Sequence, residues 1–157
     1  MTTYSIDIFK DRFTQKEVLN LLPMMDQATL QTWVNRKQIS PKESVGTGRA
    51  RLYSGSDLIQ ILTMRLLTTM GMNLTSAVKM SRIVVDYVKE EAIGISKFKK
   101  PNIIFWADPF TGDYFFNVVD DEEDLETPPP PICSIIDIKG ICDTVFNRIK
   151  ELYGDDE

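Results

Sequence analysis

Histidine is absent from the chain, and only two cysteines, Cys133 and Cys142, occur in its 157 residues. The first absence removes the side chain that most often acts as a general base or metal ligand near neutral pH. The second leaves no disulfide framework. Two thiols with no histidine near them also make a poor zinc site, so buried cysteines are the expectation and a metal sensor is not. No glycine-rich phosphate loop and no Gly-x-Ser-x-Gly nucleophile is present. The chain therefore reads as non-enzymatic and free of cofactors. No apolar run reaches membrane-spanning length. The most hydrophobic window, Leu58 to Met72, is interrupted by Arg65, and the N-terminus lacks a basic segment followed by an apolar core. Neither a membrane span nor a signal peptide is expected.

What the chain does have is an uneven charge distribution. The overall charge is −5 and the pI about 4.8. Residues 1 to 82 hold 11 Lys/Arg against 6 Asp/Glu, a net of +5, whereas residues 83 to 157 hold 7 against 17, a net of −10. An acidic pI would argue against a polyanionic partner, but the asymmetry removes that objection for the first half. The acidic half should be held away from phosphates, or repel nonspecific nucleic acid. The length suits one domain of about 93 residues and one small module, with no internal repeat, and the boundary is placed at 93/94.

Local signals set out the first half. Thr14 and Glu17 form a capping box, with Phe13 and Val18 as a hydrophobic staple, so a helix should start at Gln15. Val18, Leu21 and Leu22 give it one apolar face and Pro23 stops it. Asp26 caps a second helix, with Met25 and Leu30 as its staple and Leu30, Trp33 and Val34 as its buried face. A connection of about four residues between the two is the length of a helix-turn-helix link. Gln27, Thr29, Gln31, Thr32, Asn35, Arg36 and Lys37 are left for the outside of the second helix. After Ile39, Ser40-Pro41 ends the helical pattern. The stretch to Ala50, with Gly46 and Gly48, reads as a hairpin tip carrying Lys42, Arg49 and Arg51 and closing on Leu52-Tyr53. Ser54 caps a third helix, with Leu58, Ile61, Leu62 and Leu66 inward, ended by Gly71. Asn73 caps a fourth, with Ala77, Met80, Val84, Tyr87 and Val88 inward, running to Gly94.

Thr29-Leu30-x-x-Trp33, Ile39-x-Pro41, Arg51-Leu52-Tyr53-Ser54-x-x-Asp57-Leu58 and Gly71-x-x-Leu74 occur in that order. The ordered set resembles the signature of the mercury-resistance (MerR-type) regulators over roughly the first 85 residues. That resemblance implies a winged helix-turn-helix that binds double-stranded DNA. Three departures stand out. Met24 replaces the usual glycine of the turn. Gln31 replaces a phosphate-contacting arginine, and Thr32 a neighbouring aromatic. No heptad pattern follows Gly94 to supply the family's long dimerising coiled coil.

The second half predicts a small α+β module. Asn102 to Trp106 and Tyr114 to Val119 are β-rich runs around a turn-dense Asp108 to Asp113, giving a β-hairpin. Asp120 to Glu126 and Pro128 to Pro131 read as an exposed loop. Ile132 to Ile138 reads as a third strand, and Gly140 to Tyr153 as a C-terminal helix with Ile141, Val145, Ile149 and Leu152 on one side. The fold class is α+β, a MerR-like winged helix-turn-helix followed by this module.

Several features have plainer readings. Trp33 is better read as a core anchor than as a stacking residue. Arg36 and Lys37 fit an ordinary helix end, where cations are favoured by the dipole. Arg49 and Arg51, one residue apart, point to the same side of a strand and suit phosphate contact. The acidic run at 120 to 126 lacks calcium-loop spacing. The aromatic cluster Phe105, Trp106, Phe110, Tyr114, Phe115 and Phe116 fits a half-buried sheet, a dimer contact or a small-molecule pocket. The candidate DNA-binding residues are Gln15, Lys16, Gln27, Thr29, Gln31, Thr32, Asn35, Arg36, Lys37, Lys42, Arg49, Arg51 and Tyr53. The expected function is a dimeric, sequence-specific repressor of transcription, a homodimer in the cytoplasm on nucleoid DNA. The alternative is an excisionase-like or plasmid- or phage-maintenance adaptor whose acidic half recruits a protein partner.

Overall fold

The computed structural model describes residues 6–43, 50–95, 101–120 and 133–154. The capping signals set the helices. Strand β1 (Phe13–Thr14) leads into helix α1 (Gln15–Leu21), whose N-cap Thr14 and N3 Glu17 make the reciprocal capping-box bonds. Asp26 caps α2 (Gln27–Asn35). Strands β2 (Lys42–Glu43) and β3 (Arg51–Tyr53) follow. Ser54 caps α3 (Gly55–Thr69) in a second capping box with Asp57, and Asn73 caps α4 (Leu74–Ala92). Gly71 and Gly94, just past these two helices, take φ of +95° and +73°. That left-handed conformation ends a helix with little strain when the residue is glycine.

The first sheet has the order β1-β3-β2, all antiparallel, with Phe13 opposite Tyr53 and Lys42 opposite Leu52. The expected wing is therefore present at its base, but β3 is a central strand. It ties the entry to α1 and the wing to the same three residues. The expected hairpin tip, with Gly46, Gly48 and Arg49, lies outside the described residues.

Helix α3 is the spine of the molecule. It packs on α4, on the C-terminal helix α5 (Ile138–Tyr153) and on a short 3₁₀ turn at Ile6–Phe9. Leu58, Ile59, Ile61, Leu62, Thr63, Met64 and Leu67 are all buried, so the helix is covered on most of its circumference. One position departs from the expected stripe: Leu66 is 36% exposed and Leu67 only 2%. A one-sided 3.6-residue pattern misses this because neighbours cover α3 on several sides. Buried Thr63 donates its hydroxyl to the Ile59 carbonyl at 2.8 Å, satisfying its polar atom within the helix. At the start of α3, a Cβ on Gly55 would stand 2.6 Å from Ile8 Cγ1 and 3.0 Å from the Ile8 carbonyl oxygen. Glycine lets the 3₁₀ turn lie directly on the helix.

The second half is a three-stranded antiparallel sheet of order β5-β4-β6, with β4 (Asn102–Ala107), β5 (Tyr114–Val119) and β6 (Ser134–Asp137), followed by α5 (Ile138–Tyr153). Ile103, Phe105 and Ile136 join the core on one face. The C-terminal helix starts two residues earlier than expected, because Asp137 caps it by accepting from the Gly140 N–H at 2.9 Å. Its buried face is Ile138, Cys142, Val145 and Ile149, so Cys142 lies inward, Ile141 is half-buried and Leu152 is exposed. One apolar cluster runs from Ile8 to Ile149, because α5 packs on α1 and α3. Residues on both sides of 93/94 thus contribute to one apolar cluster. Most of the acidic and proline-rich stretch, 121–132, lies outside the described residues. No helix among the described residues is long and apolar enough to cross a membrane.

The α3 assignment is testable by denaturant unfolding. Leu67→Ala should cost about 2–5 kcal/mol. Leu66→Ala should cost under about 1 kcal/mol. The reverse order would restore the stripe expected from the sequence.

Candidate nucleic-acid interface

Helix α2 is held so that one face is fixed and the other is free. Leu30 and Trp33 are buried beside Met25, while Gln27, Gln31 and Asn35 are exposed, four residues apart and so on one stripe. Trp33 is a core residue, as its period implied. The helix begins at Asp26, whose carboxylate accepts from the Thr29 N–H at 2.8 Å and the Thr29 hydroxyl at 2.7 Å. The Thr32 hydroxyl donates to the Ala28 carbonyl at 2.8 Å. Both threonine protons are thereby used, so toward a ligand these hydroxyls offer acceptors only.

Both ends of α2 are gripped by α3. Arg65 Nε donates to the Met24 carbonyl in the preceding turn, and Gln60 Nε2 donates to the Gln38 carbonyl in the following one, each at 3.1 Å. The preceding turn runs through Pro23 and Met24 with no positive φ at Met24, so no glycine is needed there. At the far end Lys37 takes φ +56°, the one non-glycine residue with positive φ among those described. Its N–H reaches the Val34 carbonyl and the Gln38 N–H reaches that of Trp33, both at 2.9 Å. These are the two bonds of a Schellman cap, a position that usually holds glycine.

A hydrogen bond joins the wing base to α2: Arg51 Nη2 donates to Asn35 Oδ1 at 3.4 Å, while Lys42 Nζ stands 3.6 Å from Asp11, ahead of β1. Of the candidate residues, Lys16, Gln27, Gln31, Thr32, Asn35, Arg36, Lys37 and Lys42 are exposed and Gln15, Thr29 and Arg51 half-buried. Arg49 lies outside the described residues. Tyr53 is a correction. It is 0% exposed, and its hydroxyl has no hydrogen-bond partner among the described residues. Lying on the central strand beside Phe13, it is core and has no surface to offer a phosphate. Burial also pushes its phenol pKa up. The sequence reading missed the Arg51–Asn35 link and the two α3 contacts. Residues 16 or more positions apart carry no periodic signal that would reveal them.

Residues 23–82 match the model of the MerR HTH family regulatory proteins. Over these residues the chain is similar to the MerR-type helix-turn-helix. The match spans the second helix of the motif, the wing base, α3 and the first half of α4. No curated protein matches the chain.

The caps that set this surface carry charge. Bonds from Thr14 hold the Glu17 carboxyl below its ordinary 4.5, and bonds from Thr29 hold Asp26 below 3.8. A depressed folded pKa stabilises fully above the unfolded value, and that contribution is lost as pH falls through the folded value. Burial raises Asp57, against its Ser54 bonds, and acts in the opposite sense: its contribution is present at low pH and lost as pH rises above 3.8. In melting curves taken below pH 4.5, Glu17→Gln and Asp26→Asn should therefore lose less stability on acidification than the parent. Asp57→Asn should lose more.

Proposed function

We propose that the chain is a dimeric, sequence-specific repressor whose α2 enters the major groove while the wing lies on the adjoining backbone. The observation that carries this reading is the exposed Gln27–Gln31–Asn35 stripe, set opposite a buried Leu30–Trp33 face. Amide side chains can pair bidentately with adenine edges, and Arg36 can reach guanine or a phosphate. Lys16, Lys37, Lys42, Arg49 and Arg51 serve phosphates. A dimer doubles the contact and calls for an inverted-repeat site. Self-association is assigned to the segment after Asn102. Repression by occupancy is preferred to promoter remodelling because the chain shows no heptad pattern after Gly94.

The net −10 of residues 83 to 157 favours a second reading, an architectural adaptor that recruits a protein partner through its acidic half. Genome-wide footprinting with transcript measurement separates the two. Promoter sites with a rise in the adjoining transcript on deletion select the repressor, and clustered sites with unchanged transcripts select the adaptor.

On a selected operator, Gln31→Ala should lose about 1–3 kcal/mol while nonspecific affinity stays nearly constant. Arg49→Ala should weaken all sequences alike and lower the salt slope by about one contact. Unchanged binding by both folded variants would remove this surface from DNA.

Lys37 separates stability from binding. A lysine held in the left-handed region costs about 1 kcal/mol relative to glycine, partly offset by the freedom glycine gains when unfolded. Lys37→Gly should match or exceed the parent's stability, yet bind DNA more weakly at low salt. Equal binding across a salt titration would show that the charge at this position does not meet the backbone.

A further inference from the structure

Strand β5 is an edge. Strand β4 pairs with one side of it, and among the described residues nothing pairs with the other. Its six residues, Tyr114 to Val119, contain no charge and no proline, and its register with β4 runs from Asn102–Val119 to Ala107–Tyr114 without a bulge. Soluble proteins usually blunt such an edge with lysine, proline or a bulge, because its unpaired N–H and C=O groups template another strand. None of these devices is present. Aromatic surface is exposed beside it on both faces: Phe116 is 42% exposed on the side of Phe105, and Phe115 is 49% exposed on the side of Trp106.

We propose that β5 is the self-association edge, on which a second copy of the chain lays its own β5 antiparallel to form a continuous six-stranded sheet. This rests on the dimeric reading above and names its contact. Symmetry restricts the register. Directly opposed residues in an antiparallel pair share a face, and an isologous two-fold through the sheet keeps corresponding faces together. Only residues of the same alternation can then meet, which excludes Phe116 against Asn117.

That excluded register is also the one that would set Asp113 against Asp120, a like-charge pair. Of the two permitted registers nearest the middle of this six-residue strand, one on Phe116 and one on Asn117, the first brings the exposed Phe116 ring against Phe116 of the second copy on the two-fold. It sets Phe115 against Asn117 and Tyr114 against Val118. Asp113 then meets Val119 and Asp120 meets Gly112, so no carboxylate opposes another. A second copy thus satisfies the edge by its own composition. A contact of one strand pair is small, so association should depend on concentration.

The test uses the full chain without DNA, so that it reads the contact apart from operator binding. Sedimentation velocity should show a monomer–dimer equilibrium for the parent. Phe116→Lys puts two cations directly opposite one another and should raise the dimer dissociation constant at least about tenfold. Its melting temperature should stay near the parent's, since Phe116 lies outside the core cluster. For a positive readout, Phe116→Cys should cross-link to its twin under mild oxidation. Opposed Cα atoms lie about 4.5–5.5 Å apart, within disulfide reach. Asn117→Cys should not, because its twin is displaced by two residues, roughly 8 Å away. The parent controls for Cys133 and Cys142. A dimer that survives Phe116→Lys, with no cross-link from folded Phe116→Cys, would overturn the edge contact while leaving the dimeric reading intact. A monomeric parent would overturn both. Cross-linking at Asn117 in preference to Phe116 would overturn the register.

Discussion

The burial of α3 is the constraint on which the rest of the molecule depends. A fifteen-residue helix covered on most sides must find apolar neighbours in several directions, and each neighbour here does a different task. The helix α4 closes one side. The turn at Ile8 and the glycine at position 55 close the start. The helix α5 closes a third side and brings the acidic half of the chain into the same core. The large opposing terms of folding leave a margin of only about 5–15 kcal/mol. A core shared by both halves means that neither can be trimmed without exposing the other.

This arrangement reconciles a basic surface with an acidic chain. The net +5 of residues 1 to 82 and the net −10 of the remainder are joined through apolar contacts, which are indifferent to the sign of charge. The helices α1 and α3 that meet α5 are also those that lead into or grip α2.

How much was legible in the sequence follows from the range of the forces involved. Caps act over three residues, and each was readable: Thr14 with Glu17, Asp26, Ser54 with Asp57, and Asn73 all occupy the positions their neighbours specify. Gly71 and Gly94 end their helices for a reason contained in one residue. The hairpin around Asp108 to Asp113 and the core role of Trp33 were readable too. Contacts set by distant chain were not. Nothing local says that two residues, Phe13 and Thr14, add a strand to β3, or that Tyr53 therefore turns inward. The exposure of Leu66 depends on which sides of α3 its neighbours cover, and α5 starts two residues before the glycine because Asp137, at the end of β6, caps it. Within the candidate interface, the exposed stripe on α2 was readable from its period. The bond between Arg51 and Asn35 was not, because it exists only once the wing is folded.

The two bonds from Arg65 and Gln60 give α2 the mechanics of a beam pinned at both ends to a stiffer one. Such a beam has no hinge of its own. A tilt of the exposed amide stripe relative to the core would break one pin or the other, so α2 can be re-aimed only by rotating α3 and everything packed on it. Fidelity of aim is then a property of the whole core, and the stripe inherits the rigidity of residues that never meet the ligand.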